Sequence, residues 1–179
     1  MLAAGGAGSA LEFLLILGAQ ILYGSAYQTT GLLIGVFMAG MAAGTWTGTR
    51  LPHEKNRPST LFATVLFIFL CVITPFILTF LQRNEVDEIS GYLLLSVLMF
   101  LMATIPGLLF AVISKKYTGS AAGKLYAADL TGSAVILILT TIFVFPIYGV
   151  SVTGLVLGSL LLAGILRSAF SGKSSQKPL

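Results

Sequence analysis

Six stretches of about twenty apolar residues, each set off from the next by a polar or charged cluster, occupy nearly the whole chain. A bilayer core of about 30 Å is crossed by about 20 residues of helix at 1.5 Å each, so every stretch is long enough to span it. The first lies within Ala3 to Tyr27 and the second runs from Thr30 to Thr49. The third covers Ser59 to Leu81, the fourth Ser90 to Ser114, the fifth Leu125 to Tyr148 and the sixth Val150 to Phe170. The expected fold is therefore all-α: a polytopic membrane bundle of six transmembrane helices. The short connections require consecutive helices to run antiparallel and leave no room for a soluble domain. Residues 1–170 form a single six-helix domain on this reading, and 171–179 a polar cytoplasmic tail. The residues themselves display no internal repeat and no low-complexity tract.

Composition excludes the main alternatives. Only 9% of the 179 residues are charged and 56% are hydrophobic, against roughly 25% charged in an average soluble domain. A soluble enzyme does not face water with that surface. A disulfide framework is excluded because Cys71 is the only cysteine, and bis-histidine haem ligation because His53 is the only histidine. Catalytic, cofactor-binding and metal-binding constellations are all absent, so no cofactor is expected and the chain reads as a non-enzyme. Met1 to Ser9 lacks a positive leading region and Glu12 interrupts the apolar run that follows. The start is thus expected to be a retained first helix, not a cleaved signal.

Lys and Arg in short loops stay on the cytoplasmic side. Nine of the ten basic residues fall on one side of the expected bundle: Arg50, Lys55 and Arg57, then Lys115, Lys116 and Lys124, then Arg167, Lys173 and Lys177. Arg83 is the exception, in a loop with Glu85, Asp87 and Glu88. Both termini are expected to be cytoplasmic, in the plasma (inner) membrane. The net charge of +4 then reflects topology and anionic lipid, with no nucleic-acid partner.

Gly40, Gly44 and Gly48 make two consecutive small-xxx-small steps, preceded by Gly31 and Gly35, and Gly154 and Gly158 repeat the device in the sixth helix. Such stripes let a second helix approach closely, within the chain or from a partner subunit. Pro75 and Pro106 each remove a backbone donor in mid-span, so the third and fourth helices are expected to bend there. Two carboxylates lie within apolar runs, where an ionisable group is costly enough to mark a candidate site. Asp129 lies five residues beyond Lys124, roughly 7 Å into its helix. Glu12 is one turn from the interface if the first helix begins near Ser9, and near the midplane if it begins near Ala3. Either pair with Lys124, Lys115, Arg50 or hydroxyls and lock helix register, or handle a proton or cation. Gln20, with Tyr23, Tyr27 and Gln28, marks the outer end of the first helix, as interfacial belt or as part of a quinone or lipid pocket; Trp46 marks the inner end of the second.

The segment Glu12-Phe-Leu-Leu-Ile-Leu-Gly-Ala-Gln20, followed by Tyr23-Gly24, Tyr27-Gln28 and Gly31-Leu-Leu-Ile-Gly-Val-Phe-Met-Ala-Gly40-Met-Ala-Ala-Gly44, resembles the integral membrane region of spermidine synthase-like proteins. A second block, Ile105-Pro-Gly-Leu-Leu-Phe110 and then Ala122-Gly-Lys-Leu-Tyr-Ala-Ala-Asp129-Leu-Thr-Gly-Ser-Ala134, is similar to the turn into that family's late helices. Together the blocks cover roughly half of the chain. The resemblance implies a multi-pass bundle of a kind often fused to a cytoplasmic aminopropyltransferase-like Rossmann domain. No strand followed by a Gly-rich nucleotide loop occurs here, so that domain's catalytic and nucleotide-binding residues have no matching positions. The six helices and the basic loop after a Gly-rich second helix are also similar to half of a major-facilitator transporter.

The first functional expectation is a non-catalytic membrane subunit or anchor that packs against membrane or cytoplasmic partner subunits, or against a second copy of itself. The alternative is a transporter, or half of one, for a small cation or polyamine-like solute, with Glu12 and Asp129 as ligands. A second alternative is the membrane part of a two-chain enzyme.

Overall fold

Runs this apolar satisfy their backbone polar groups in hydrocarbon only by coiling on themselves, and every described run does so. The computed structural model describes residues 2–24, 28–51, 56–84, 86–115 and 120–171. The helices are α1 (Leu2–Tyr23), α2 (Gln28–Arg50), α3 (Asn56–Arg83), α4 (Glu88–Ser114) and α5 (Ser120–Leu139), then a π-helical segment (Thr140–Val144) and α6 (Phe145–Ser171). There is no strand among the described residues. Five segments are long and apolar enough to cross a membrane: Gly5–Tyr23, Thr29–Arg50, Thr60–Arg83, Glu88–Ser114 and Gly123–Gly149. The expected sixth span is helical, but its continuous apolar stretch among the described residues is the shorter Val152–Ala163. His53, Lys55, Lys116, Lys173, Lys177 and the tail from 172 onward lie outside the described residues.

The fifth crossing does not stop at Leu139. It continues through the π turn, where one residue more per turn leaves the Thr141 hydroxyl buried without a hydrogen-bond partner, and ends at Gly149. There φ is 71° and ψ −174°, a conformation open to glycine and strained for any L side chain. The sequence boundary between Tyr148 and Val150 thus coincides with a glycine turn inside what is otherwise continuous helix.

Helix directions follow from which residues meet. Along α2, Gly40 faces Phe100 and Ala103, Gly44 faces Thr104 and Leu108, and Gly48 faces Leu108 and Ala111 of α4, so the two run parallel. Gly5 faces Asp129 and Gly6 faces Gly132 and Ile136, making α1 and α5 parallel as well. Gly154 meets Cys71 and Pro75, whereas Gly158 meets Ile68 and Val72, so α6 runs antiparallel to α3. Consecutive helices therefore alternate in direction. The end of the bundle where α1, α3 and α5 begin carries Arg50, Lys115 and Lys124 and is here the basic end; the opposite, acidic end carries Asp87 and Glu88.

The packing holds a repeat that the residues do not display. The most extensive interfaces between separate helices are α2 with α4, α1 with α5 and α3 with α6, followed by α1 with α4, α3 with α4 and α1 with α6. Replacing each helix by the one three further along returns the same set. For these six interfaces the pairing of α1–α3 therefore recurs in α4–α6 with the helix directions reversed. The core is built of Leu11, Leu14 and Leu15 of α1, Phe67 of α3 and Leu95, Met99 and Met102 of α4.

Pro75 and Pro106 leave α3 and α4 helical on both sides, and each ring faces a glycine on another helix, Gly154 and Gly8 respectively. The carbonyl that Pro75 deprives of its donor, that of Cys71, faces Gly154, where the missing side chain leaves room for it. The buried Thr74 and Thr153 close their hydroxyls onto the preceding turn, on the Leu70 carbonyl at 2.7 Å and the Gly149 carbonyl at 2.7 Å. No hydroxyl needs water when it is satisfied this way.

At the basic end, the Lys115 ammonium donates to the Thr49 carbonyl at 2.6 Å and the Leu51 carbonyl at 3.0 Å. It thereby caps orphan carbonyls at the end of α2 with a cation placed at the negative end of the helix dipole. The neighbouring Arg50 guanidinium lies 3.7 Å from the centre of the Trp46 ring. Lys115→Met is expected to cost about 1–2 kcal/mol, given charged hydrogen bonds at a half-exposed site, and to lower the thermal midpoint in detergent by about 2–8 °C. An unchanged midpoint would remove the cap from the account of stability.

Candidate functional site

Asp129 is held by the close packing of α1 on α5. The backbone of Gly5 lies directly against the Asp129 carboxylate, at a distance no Cβ allows, so this approach depends on a glycine at position 5. Asp129 is half-buried, and it lines a cleft of about 480 Å³ at the basic half of the bundle. The floor of the cleft is α1 and α4, through Gly8, Ser9 and Pro106; its walls are α2, through Met38, Met41 and Thr45, and α5, through Tyr126, Asp129 and Ser133. The cleft is thus shared by α1 and α2 of the first three helices and α4 and α5 of the last three, toward the basic end.

The cleft is mixed in character. Phe37, Phe110 and the two methionines give it an apolar, polarisable lining, while Ser9, Thr45, Tyr126 and Ser133 are hydroxyl-bearing residues lining the same cleft as the Asp129 carboxylate. The Thr45 hydroxyl makes only a long 3.4 Å contact with the Gly107 carbonyl. Lys124, one of several expected partners of Asp129, is exposed and makes no ion pair with it among the described residues. That expectation fails for a geometric reason: five residues of helix separate the two by about 7 Å along the axis and 140° around it. Among the described residues no group of three metal-binding side chains exists.

Glu12 takes the deeper of the two expected positions, because α1 begins at Leu2. It is half-buried and follows Gly5, Gly8 and Ser9 on the cleft-facing stripe of α1. Seven residues separate it from Gly5, so it lies about 10 Å deeper than Asp129, and the two carboxylates do not share one site. Gln20 is elsewhere: its amide donates to the Thr30 hydroxyl at 3.0 Å, tying α1 to α2 at the acidic end. Gly40, Gly44 and Gly48 form the α2–α4 contact, whereas Gly31 and Gly35 face open space. Gly154 sits on Pro75, and Gly158 makes ordinary contact with Val72.

Neither family models, nor curated proteins, nor solved structures give a match to this chain. The chemistry of the site therefore rests on its own residues.

Sequence reading missed Ser9, Tyr126 and Ser133. The signal for the last two was present, since Tyr126, Asp129 and Ser133 recur at helical spacing and make one polar stripe on an otherwise apolar helix. Ser9 precedes Glu12 by three residues on the same principle. Nothing in the residues marks Met38, Met41 or Phe110, which become lining only because four helices meet there.

Proposed function

We propose that this six-helix membrane protein binds a small organic cation of amine or polyamine type in the cleft around Asp129, as a transporter unit or half-transporter. The observation that carries the reading is the cleft itself: Asp129 lines it together with Ser9, Thr45, Tyr126 and Ser133, and it is shared by helices of the first and the last three. Transporters built from inverted repeats place their substrate site at the interface between halves that rock against each other. An intramembrane carboxylate selects a cation, and the Phe and Met lining suits its apolar body. The basic end faces the cytoplasm of a plasma or inner membrane, with both termini on that side, because the basic residues gather there. No reaction is assigned to the chain.

Uptake of radiolabelled spermidine or a monoamine into proteoliposomes, driven by a membrane potential, tests this directly; uptake equal to that of protein-free vesicles for every amine tried would overturn it. Orientation is a separate expectation. Membrane-impermeant maleimide applied outside intact cells should label Asp87→Cys and leave Gly123→Cys unlabelled, and the reverse pattern inverts the topology.

A second reading, a non-catalytic subunit or anchor, has Gly31 and Gly35 in its favour. These two leave a small-residue face of α2 uncovered, suited to a helix from a partner. Stoichiometric co-purification of another chain, lost in Gly35→Leu, would support it over the first.

A further inference from the structure

At the acidic end, remote from Asp129, the last turn of α1, the last turns of α3 and the start of α4 enclose a recess of about 330 Å³. Tyr23, Leu81, Gln82, Val86 and Glu88 line it. Tyr23 is positioned from two sides. Its ring packs on Tyr92 with centroids 4.8 Å apart at 48°, and its phenol lies over Gly91, where a Cβ would collide with it. The hydroxyl is buried there with no hydrogen-bond partner. A buried tyrosine normally finds a partner for that group, so the arrangement places the ring at the expense of the hydroxyl. Beside the ring stands Glu88, with Asp87 next to it; both are exposed. Arg83, the basic residue of this end, is exposed and makes no ion pair with either among the described residues. The recess thus combines an aromatic ring, a carboxylate and the Gln82 amide, with no set of three metal-binding side chains among the described residues.

Anions are repelled by such a wall, and a small hard cation finds too few oxygens in it. An alkylammonium group suits it, because the Glu88 carboxylate meets its charge beside the Tyr23 side chain while its methyl or methylene groups tolerate Leu81 and Val86. We infer that the recess bounded by Tyr23, Gln82 and Glu88 is a binding site for an alkylammonium group at the membrane surface, distinct from the Asp129 cleft. The group comes either from a free solute or from the choline or ethanolamine headgroup of a lipid lying at that level. This inference does not depend on transport.

The test uses the full chain carrying Asp129→Asn, which removes the cleft carboxylate, in nanodiscs of phosphatidylglycerol. Tetramethylammonium chloride is titrated against sodium chloride at equal ionic strength and binding is followed by saturation-transfer NMR. Saturable binding is expected, weakened about tenfold or more by Glu88→Gln and by Tyr23→Leu and retained in Tyr23→Phe, since the ring and not the hydroxyl meets the ligand. Glu88 is exposed, so its variant reports even if Tyr23→Leu fails to fold. In nanodiscs of phosphatidylcholine, weaker apparent binding identifies the lipid headgroup as the competing occupant, and unchanged binding identifies a free solute. No saturable binding in phosphatidylglycerol, or wild-type binding in Glu88→Gln, overturns the proposal.

Discussion

Gly44→Ala lowers the thermal midpoint by about 10 °C, and Gly44→Leu yields no monodisperse protein in mild detergent, while Gly35→Ala leaves both properties unchanged. Both positions belong to one glycine-rich helix, and what separates them is the neighbour. A Cβ on Gly44 runs into the carbonyl of Thr104 and the amide nitrogen of Leu108, which are backbone atoms of a helix already committed to its own hydrogen bonds. α4 must move as a body. Gly40 and Gly48 face the same helix, with a Cβ at 2.6 Å from the Phe100 carbonyl in one case and 2.8 Å from the Ala111 side chain in the other. Any separation at Gly44 therefore opens contacts one turn away on both sides. Overpacking of this sort costs about 1–3 kcal/mol for a small insertion and more for a large one, and about 3 kcal/mol corresponds to roughly 10 °C in a chain of this size. At Gly35 nothing lies within 4 Å, and alanine is the better helix former by about 0.5–1 kcal/mol. Thermal unfolding and size-exclusion chromatography of the three variants decide the matter; equal losses at Gly35 and Gly44 would mean that α2 and α4 do not pack as described.

The contrast also shows what the residues disclose and what they withhold. The six runs, their order and the break between Tyr148 and Val150 are legible, because span length and polar punctuation follow from the bilayer itself. The glycine spacing discloses that some helix comes close to α2, but not that Gly40 to Gly48 meet α4 while Gly31 and Gly35 stay uncovered. In water a buried stripe is more apolar than the exposed one; in lipid both are apolar. The exposed Leu32, Met38, Phe62, Phe69 and Phe76 look no different in sequence from the buried Leu33, Phe67 and Leu78. Partner choice among helices is consequently unreadable from hydropathy. The recurrence of the α1–α3 pairing in α4–α6 is hidden for the same cause, since backbone packing repeats without residue identity repeating. Asp129 was legible as a candidate because a carboxylate is conspicuous in such a run. Its setting was not, because the cleft draws on four helices.

Asp129 is where the next large effect is expected. Asp129→Asn should keep the protein folded, with the same elution volume and a midpoint within a few degrees, while weakening amine binding by about 100-fold, or about 3 kcal/mol, as expected when an enclosed charge loses its partner. Asparagine preserves the shape that rests against Gly5 and exchanges only the charge. Asp129→Leu separates the two roles more sharply. Placing a carboxylate in an apolar span costs about 2.5–3.5 kcal/mol on the insertion scale, so a residue kept for ligand binding is one whose replacement by leucine maintains or raises stability. A carboxylate kept to lock helix register would behave oppositely, since its removal would loosen α1 from α5 and reduce the folded yield. The first outcome is the one expected under the proposed function: beside the Gly5–Asp129 contact, Gly6 meets Gly132 and Ile136 in the α1–α5 approach, and Lys124 does not pair with the carboxylate. Gly5→Ala adds an independent handle, because its Cβ displaces the carboxylate without altering its charge, and it should weaken amine binding while Asp129 remains in place. Amine binding by Asp129→Asn at wild-type strength, or collapse of the fold in Asp129→Leu with binding otherwise unaffected by Gly5→Ala, would return Asp129 to a structural role.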